Sequence, residues 1–319
     1  MTGSTETRRF AVEQVDKLIG QLAFQVGRAR KSHDPGPVHD LRVAIRRFAQ
    51  VFILFRACFP AKDVKKIRQR LKEIMTQAGE VRNCDIALKL LSKSKLEEAG
   101  AFKVRFQSRR QEGERILLGT LRRWKEQKTS LKWRTRLQAA SAPDKTPAGT
   151  VEETAIRKLP RMAKEFFDRG RKTAASGSAE KLHEFRIATK KFRYTLELLA
   201  PLYGPTLSAR LERIRNMQTL LGGINDCATV RQMVSRWSGG AGVDAELRKK
   251  QRKQTKEFQR QWTKEFGGPE KIQLWMDYLG GSEDSRRPAR KPVARSLSAG
   301  GATVDRRSGA VLRRQSGRQ

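Results

Sequence analysis

Two rows of cations, each beginning with a histidine, are the residues of this sequence most suited to chemistry. From position 38 the chain reads VHDLRVAIRRF, and from position 182 it reads LHEFRIATKKF. Side chains three or four residues apart share one face of a helix, so each row presents a cation at every turn of about 5.4 Å. Guanidinium groups contact phosphate in a bidentate way, and Lys acts as a mobile point charge. The pattern therefore predicts binding of a flexible anionic chain with one charge per phosphate.

The apolar residues of both segments recur on the side opposite the cations and predict a buried helix face. Acidic residues are almost absent after the first turn, so ion pairing along the helix does not explain the rows. The first row contains His39, Arg42 and Arg46, the second contains His183, Arg186, Lys190 and Arg193, and Arg47 and Lys191 lie beside them.

The two histidines can be explained in more than one way. A metal site would need further ligands, and the sequence contains no HExxH or CxxC pattern. The residues after His183 are similar to the H-box of sensor kinases, but the expected proline and the ATP-binding glycine boxes are missing. Two interpretations stay open: a structural histidine near the helix start, or one that donates a hydrogen bond to bound phosphate.

The two rows belong to an internal repeat of about 144 residues. His39 aligns with His183 and Arg42 with Arg186. Downstream, GEVRNC at 79–84 aligns with GGINDC at 222–227 after one deletion. Collinear matches over several segments indicate a duplication.

Apolar residues recur at three and four positions along most of the chain, which predicts an all-α protein. Each repeat is expected to form a helical bundle, the first over 6–141 and the second over 151–270. A shorter helix is predicted after each glycine turn, at 79 and at 222–223. The longer predicted helices are 6–31, 37–57, 62–79 and 96–127 in the first unit, and 151–174, 179–200, 206–222 and 243–266 in the second.

The charge balance indicates a polyanionic partner. The 319 residues include 69 Lys and Arg against 33 Asp and Glu, a formal net charge of +36. Segment 281–319 is rich in Gly, Ser, Arg and Pro and is predicted to be a disordered basic tail. Because that segment holds ten basic and three acidic residues, most of the charge belongs to the helical part. Nucleic acid, inorganic polyphosphate and anionic membranes all fit this charge.

Several classes of protein are excluded by the sequence. No stretch approaches the roughly 18 apolar residues of a membrane helix, and the N-terminus has no apolar signal-peptide region. Cys58, Cys84 and Cys227 lie far apart, which argues against a disulfide framework and favours a reducing, cytoplasmic compartment. No P-loop, metal-binding carboxylate cluster or nucleophile elbow is present, so neither an enzyme nor a cofactor is predicted.

The sequence resembles the CHAD family, the conserved histidine α-helical domain. The resemblance covers about residues 6–270 and rests on VHDLRVAIRRF at 38–48, GEVRNCD at 79–85, LHEFRIATKKFRY at 182–194 and LLGGINDC at 220–227. It implies two four-helix bundles related by a pseudo-twofold axis, with the histidine-bearing helices lining a basic groove or pore. It also implies non-enzymatic binding of inorganic polyphosphate and association with polyphosphate granules.

By position, the resemblance assigns the phosphate contacts to both rows and extends them to one pair of downstream cations. The assigned residues are His39, Arg42, Arg46, Arg47, Lys72, His183, Arg186, Lys190, Lys191, Arg193 and Arg215.

The alternative function is non-specific nucleic-acid binding, with help from the tail; a phosphate-ester-processing enzyme is a weaker alternative. Against nucleic acid, aromatic residues make up only 7% of the chain and those of the rows lie at core spacing, which leaves few platforms for base stacking.

Overall fold

The computed structural model describes residues 3–139 and 149–281, and the predicted tail lies outside them apart from its first residue. Within these ranges the chain forms ten α-helices and no strand, so the prediction of an all-α fold is confirmed. The helices are α1 (Gly3–Lys31), α2 (Pro35–Leu54), α3 (Ala61–Leu91), α4 (Glu98–Glu126), α5 (Thr129–Ala139), α6 (Val151–Ser176), α7 (Ala179–Leu198), α8 (Leu207–Val234), α9 (Ala241–Phe266) and α10 (Pro269–Gly280).

The duplication is visible in the order of the helices. In each unit a long helix precedes a 20-residue helix that carries the histidine, and a short 3-10 turn follows it. Two long helices then form a hairpin, α3 with α4 and α8 with α9. A short fifth helix closes each unit, since α5 packs on α1 and α10 packs on α6. These two short helices were not among the predicted elements.

The predicted turns at the glycines of the GEVRNC and GGINDC segments are wrong. Both α3 and α8 run through these glycines without a break. A glycine inside a helix costs only about 1 kcal/mol relative to Ala. Here Ala78, Val81 and Cys84 continue the buried face of α3 past Gly79, so packing against α4 outweighs that cost.

The buried apolar residues form two clusters. The larger one fills the body of the protein and contains residues of both units, for example Phe48 of α2 and Phe192 of α7. The smaller one joins the tips of the two hairpins, where Phe102 and Phe106 of α4 meet Val234 of α8. The two units therefore share one core along α2 and α7, and a second contact where the hairpins meet.

Polar contacts fix the seam between the units. Gln50 Nε2 on α2 donates a buried hydrogen bond of 2.8 Å to Thr195 Oγ1 on α7. Nearby, Arg47 Nε lies 3.1 Å from a carboxylate oxygen of Glu197. A buried hydrogen bond whose two partners are both satisfied restricts how two helices can slide past each other. The register of α2 against α7 is set in this way.

Gly170 of α6 provides the closest helix approach in the second unit. A Cβ at this position would overlap the indole ring of Trp262 on α9. Trp262 itself is buried and contacts Phe166 and Phe185, so its ring has no room to withdraw. The absence of a side chain at Gly170 is therefore required for α6 to pack on α9.

Gly170→Ala is expected to lower the free energy of unfolding by about 1–3 kcal/mol, because an added methyl group in a packed core forces neighbouring side chains out of place. Urea denaturation measures the change. Gly100→Ala on α4 is the matched control: no atom lies within 4 Å of its added Cβ, so better helix propensity should leave stability equal or slightly higher. Equal stability of Gly170→Ala and the wild type would contradict this packing.

Candidate anion-binding site

The positions at which α2 and α7 begin place the two histidine-bearing rows at the seam between the units. Helix α2 begins after Asp34 with Pro35 in its first turn, a position where the missing N–H costs nothing. Helix α7 begins after Gly177, whose φ of 59° is left-handed, and the Ser178 side chain caps it by accepting from the Lys181 backbone N–H. Each histidine consequently lies early in its helix, with the arginines one and two turns further on.

The half-buried cations of α2 and α7 lie close to one another, together with Arg82 from α3. Burial, followed by the charges of Arg46, Arg186 and Arg82, lowers the pKa of Arg42 to about 10. Such effects require the guanidinium groups to be near neighbours across the two units. We call this set the seam cluster; it consists of Arg42, Arg46, Arg82, Arg186, Lys190 and the single carboxylate Asp226.

Lys190 is the most perturbed member of the seam cluster. Burial lowers the pKa of its ammonium group from 10.5 to about 6, and repulsion from Arg186 and Arg46 adds to that shift. An isolated lysine at the surface would stay charged at neutral pH. Here burial, together with repulsion from the neighbouring arginines, favours the neutral amine of Lys190 at pH 7.

The seam cluster has too little negative charge to balance it. Burial raises the pKa of Asp226, while the charges of Arg186 and Arg82 oppose that rise. In the part of the chain that the structure describes, Arg46, Arg82, Arg186 and Lys190 form no salt bridge, and the Nε of Arg186 is buried without a hydrogen-bond partner. Four or five cations therefore face one carboxylate, which is the electrostatic condition for attracting an anion.

Helix α3 holds one arginine of the seam cluster in place. Arg42 Nη1 donates a hydrogen bond of 2.7 Å to the backbone carbonyl of Met75. One turn later in α3, a Cβ added to Gly79 would lie only 3.0 Å from Nη1 of Arg42. A larger residue at Gly79 would displace the guanidinium, so this glycine has a role in the site, and it does not form the turn predicted for it.

The two histidines lie at the exposed edge of the site. Burial lowers the pKa of His39, and the charge of Arg82 is the next cause. The ring Nδ1 of His183 lies 3.3 Å from Oδ1 of Asn225 on α8. Arg82 and Asn225 occupy equivalent positions of the repeat, so each histidine faces the same place on the neighbouring long helix. The structure leaves both interpretations of the histidines open.

Three other predicted residues gather around one carboxylate near the C-terminal end of α7. Glu197 accepts from Arg47 at 3.1 Å, from Arg193 at 3.1 Å and from Arg215 at 3.5 Å. Arg193 is 7% exposed and its guanidinium stacks 4.5 Å from the ring of Tyr194. These three cations already have a counter-charge, unlike the seam cluster.

The remaining predicted residues, Lys72 of α3 and Lys191 of α7, are exposed. The structure does not bring them into the seam cluster. Sequence analysis also left out Arg82 and Asp226, although both lie within the repeated segments. They were missed because the segment was predicted to be a turn. In a continuous helix Arg82 lies one turn after Gly79 and on the same face, so helical spacing carried through the glycine identifies it.

Neither a metal site nor a membrane span is found among the described residues. No group of three or more His, Cys, Asp or Glu side chains there could hold a metal ion. No helix in residues 3–139 and 149–281 combines the length and apolar character that crossing a bilayer requires.

The fold and the seam cluster define a duplicated all-helical protein with a cationic seam. The chain belongs to the CHAD domain family, since the model of that family matches residues 13–235. Its fold is similar to the crystal structure of the CHAD domain from the plant Ricinus communis, with a TM-score of 0.62, 17% identity, and coverage of 86% of this chain and 93% of that chain. It is also similar to PptA from Streptomyces chartreusis, with a TM-score of 0.54, 16% identity, and coverage of 79% and 98%. Among curated proteins, none matches this sequence.

Lys190→Met is expected to raise the Tm, because it removes a cation that folding forces into a repulsive, half-buried position. A folded-state pKa near 6 against an ordinary 10.5 means that the unfolded chain binds this proton more strongly. The stability of the wild type therefore falls as the pH drops from about 10 to 6, and the gain in Tm should be larger at pH 6 than at pH 9. Differential scanning calorimetry measures it.

The control for this prediction is Lys191→Met, which removes the exposed neighbouring cation and should change the Tm little at either pH. A Tm of Lys190→Met that equals the wild-type value at both pH values would show that the cluster is not under electrostatic strain.

Proposed function

We propose that this protein binds inorganic polyphosphate at the seam cluster and does so without catalysing a reaction. The observation that carries the proposal is the unbalanced charge of Arg42, Arg46 and Arg186, which come from both units of the repeat, with Lys190 beside them. Membership of the CHAD family supports a function at this place, because the histidine-bearing segments that define the resemblance supply these residues. A bound phosphate chain would provide the negative charge that Asp226 alone does not.

The chemistry of the cluster fits a chain of phosphates better than a single anion. The cations of α2 and of α7 succeed one another at helical turns, so they form two short rows on either side of the seam. Arginine offers paired N–H donors to phosphate oxygens, and the buried Nε of Arg186 is a donor still without a partner among the described residues. Successive phosphates could therefore be held by alternate sides of the seam.

Nucleic acid is the competing ligand, and the surroundings of the cluster favour polyphosphate over it. Single strands bind proteins partly by stacking bases on exposed aromatic rings. The phenylalanines of α2 and α7 are buried in the core, among them Phe48, Phe185 and Phe192. Tyr194, the aromatic residue nearest the arginines, is 5% exposed. Polyphosphate has no bases and loses nothing by the absence of such platforms.

Binding of this kind would associate the protein with polyphosphate granules in the cytoplasm. This part of the proposal follows from the ligand, because a granule presents the same phosphate chains at high local concentration. Storage, organisation and sensing of polyphosphate would all be served by a binding site of this type.

A competition assay at fixed salt tests the proposal, with polyphosphate, double-stranded DNA and RNA matched for phosphate concentration. The wild type should prefer polyphosphate at least tenfold. Arg46→Gln with Arg186→Gln should weaken polyphosphate binding at least tenfold, since each charge-assisted hydrogen bond is worth about 1.5–3 kcal/mol. The slope of log affinity against log salt should become shallower by roughly 0.7–0.9 for each phosphate contact removed.

The matched control is Arg161→Gln with Arg252→Gln, which removes the same charge from exposed positions on α6 and α9 and should change the affinity less than twofold. Phosphate release is followed in the same samples and should stay at the level of a protein-free blank. Equal effects of the two double variants would remove the seam cluster from the site, and equal affinity for DNA would favour the nucleic-acid function.

A further inference from the structure

A second basic surface lies on the first unit, formed by α1, α4 and α5. These helices enclose a cleft of about 420 Å³, which we call the α1/α4/α5 cleft. Its floor is apolar and includes Val26 of α1, Trp124 of α4 and Leu131 of α5. Leu131 is 57% exposed, whereas Trp133 and Leu137 of the same helix are buried. Among these three residues the exposed apolar surface is mainly that of Leu131, since Val26 and Trp124 are each 3% exposed.

The floor of the cleft is rigid. Trp124 Nε1 donates a hydrogen bond of 2.8 Å to Ser130 Oγ, which ties the end of α4 to the start of α5. The same indole meets Trp133 edge to face, with 4.7 Å between the ring centroids. A rigid apolar surface can bind a hydrocarbon group without first having to be ordered.

Four cations surround this floor: Arg30, Lys31, Lys125 and Lys128. None of them forms a salt bridge with an acidic residue of the described ranges, and no acidic residue lines the cleft there. The Nε of Arg30 is buried without a hydrogen-bond partner. An apolar floor and an unbalanced cationic rim occur together in this cleft.

The turn between α4 and α5 adds a strained residue to the rim. Lys128 has a φ of 49°, the left-handed region, and it is the one non-glycine residue with positive φ in the described part of the chain. Glycine or asparagine would adopt this conformation at lower cost. Strained residues of this kind concentrate at functional sites, and here the strained position carries a cation at the edge of the cleft.

We propose that the α1/α4/α5 cleft binds a small amphiphilic anion, an alkyl or aryl phosphate, with its hydrocarbon part on the Trp124–Leu131 floor and its phosphate among the rim cations. The cleft volume lies within the range of about 300–1,000 Å³ that is typical of small-molecule sites. A phosphate alone would leave the apolar floor exposed, and a hydrocarbon alone would leave the cations unpaired. The residues of this cleft are not those of the seam cluster, so the inference is independent of the proposed function.

Isothermal titration of the full chain with decyl phosphate, kept below its micelle concentration, and with inorganic phosphate tests the proposal. Decyl phosphate should bind at least tenfold more tightly than inorganic phosphate. Leu131→Ser should reduce this preference at least threefold, because it removes apolar floor and leaves the rim charges in place. Equal affinity for the two ligands would overturn the proposal.

Lys128→Gly tests the rim without risk to the fold, because glycine suits the left-handed turn and the Tm should stay equal or rise. It should weaken decyl phosphate binding about fivefold or more and leave polyphosphate affinity within twofold. The charge control is Lys62→Gln, which removes an exposed lysine of α3 and should not change the affinity for either ligand. Glutamine is used there because glycine would disturb the helix. An equal loss in the control would show non-specific attraction by the basic surface and would also overturn the proposal.

Discussion

Repulsion between half-buried cations at the seam is the interaction on which the rest of this structure depends. Arg42 and Arg46 on α2 lie near Arg186 and Lys190 on α7: Arg46 and Arg186 lower the pKa of Arg42, and all three arginines lower the pKa of Lys190. Like charges that are partly removed from water destabilise the fold unless something compensates for them. A protein that keeps such a cluster accepts lower stability at this place, and under the proposed function a bound polyanion would compensate for it.

The surrounding contacts explain how two units that repel at the seam remain together. Glu197 neutralises Arg193 and Arg215 and links α7 to Arg47 of α2. The buried hydrogen bond between Gln50 and Thr195 fixes the register, and the shared apolar core supplies most of the favourable free energy. Arg47, Arg193 and Arg215 therefore share the counter-charge of Glu197, whereas the arginines of the seam cluster form no salt bridge in the described ranges.

Much of this could be predicted from the sequence. The period of the apolar residues, a local signal, predicted the long helices other than α3 and α8 with bounds close to the observed ones. The continuous course of α3 and α8 could not be read in the same way, since packing against α4 and α9 overrides the turn preference of Gly79 and its counterparts. Nor could spacing show which cations of a row are paired: Arg47 and Arg46 are neighbours in sequence, yet only Arg47 reaches Glu197 across the seam.

The most direct test of the account is the number of protons taken up when polyphosphate binds. Isothermal titration near pH 7 in two buffers of different ionisation enthalpy measures it. Because the pKa of Lys190 in the free protein is about 6, a phosphate chain that restores its charge should draw in about one proton per protein, and Lys190→Met should remove most of that uptake and leave only the smaller share of His39. Tight binding with no proton uptake in the wild type would contradict the claim that the ligand neutralises the seam cluster.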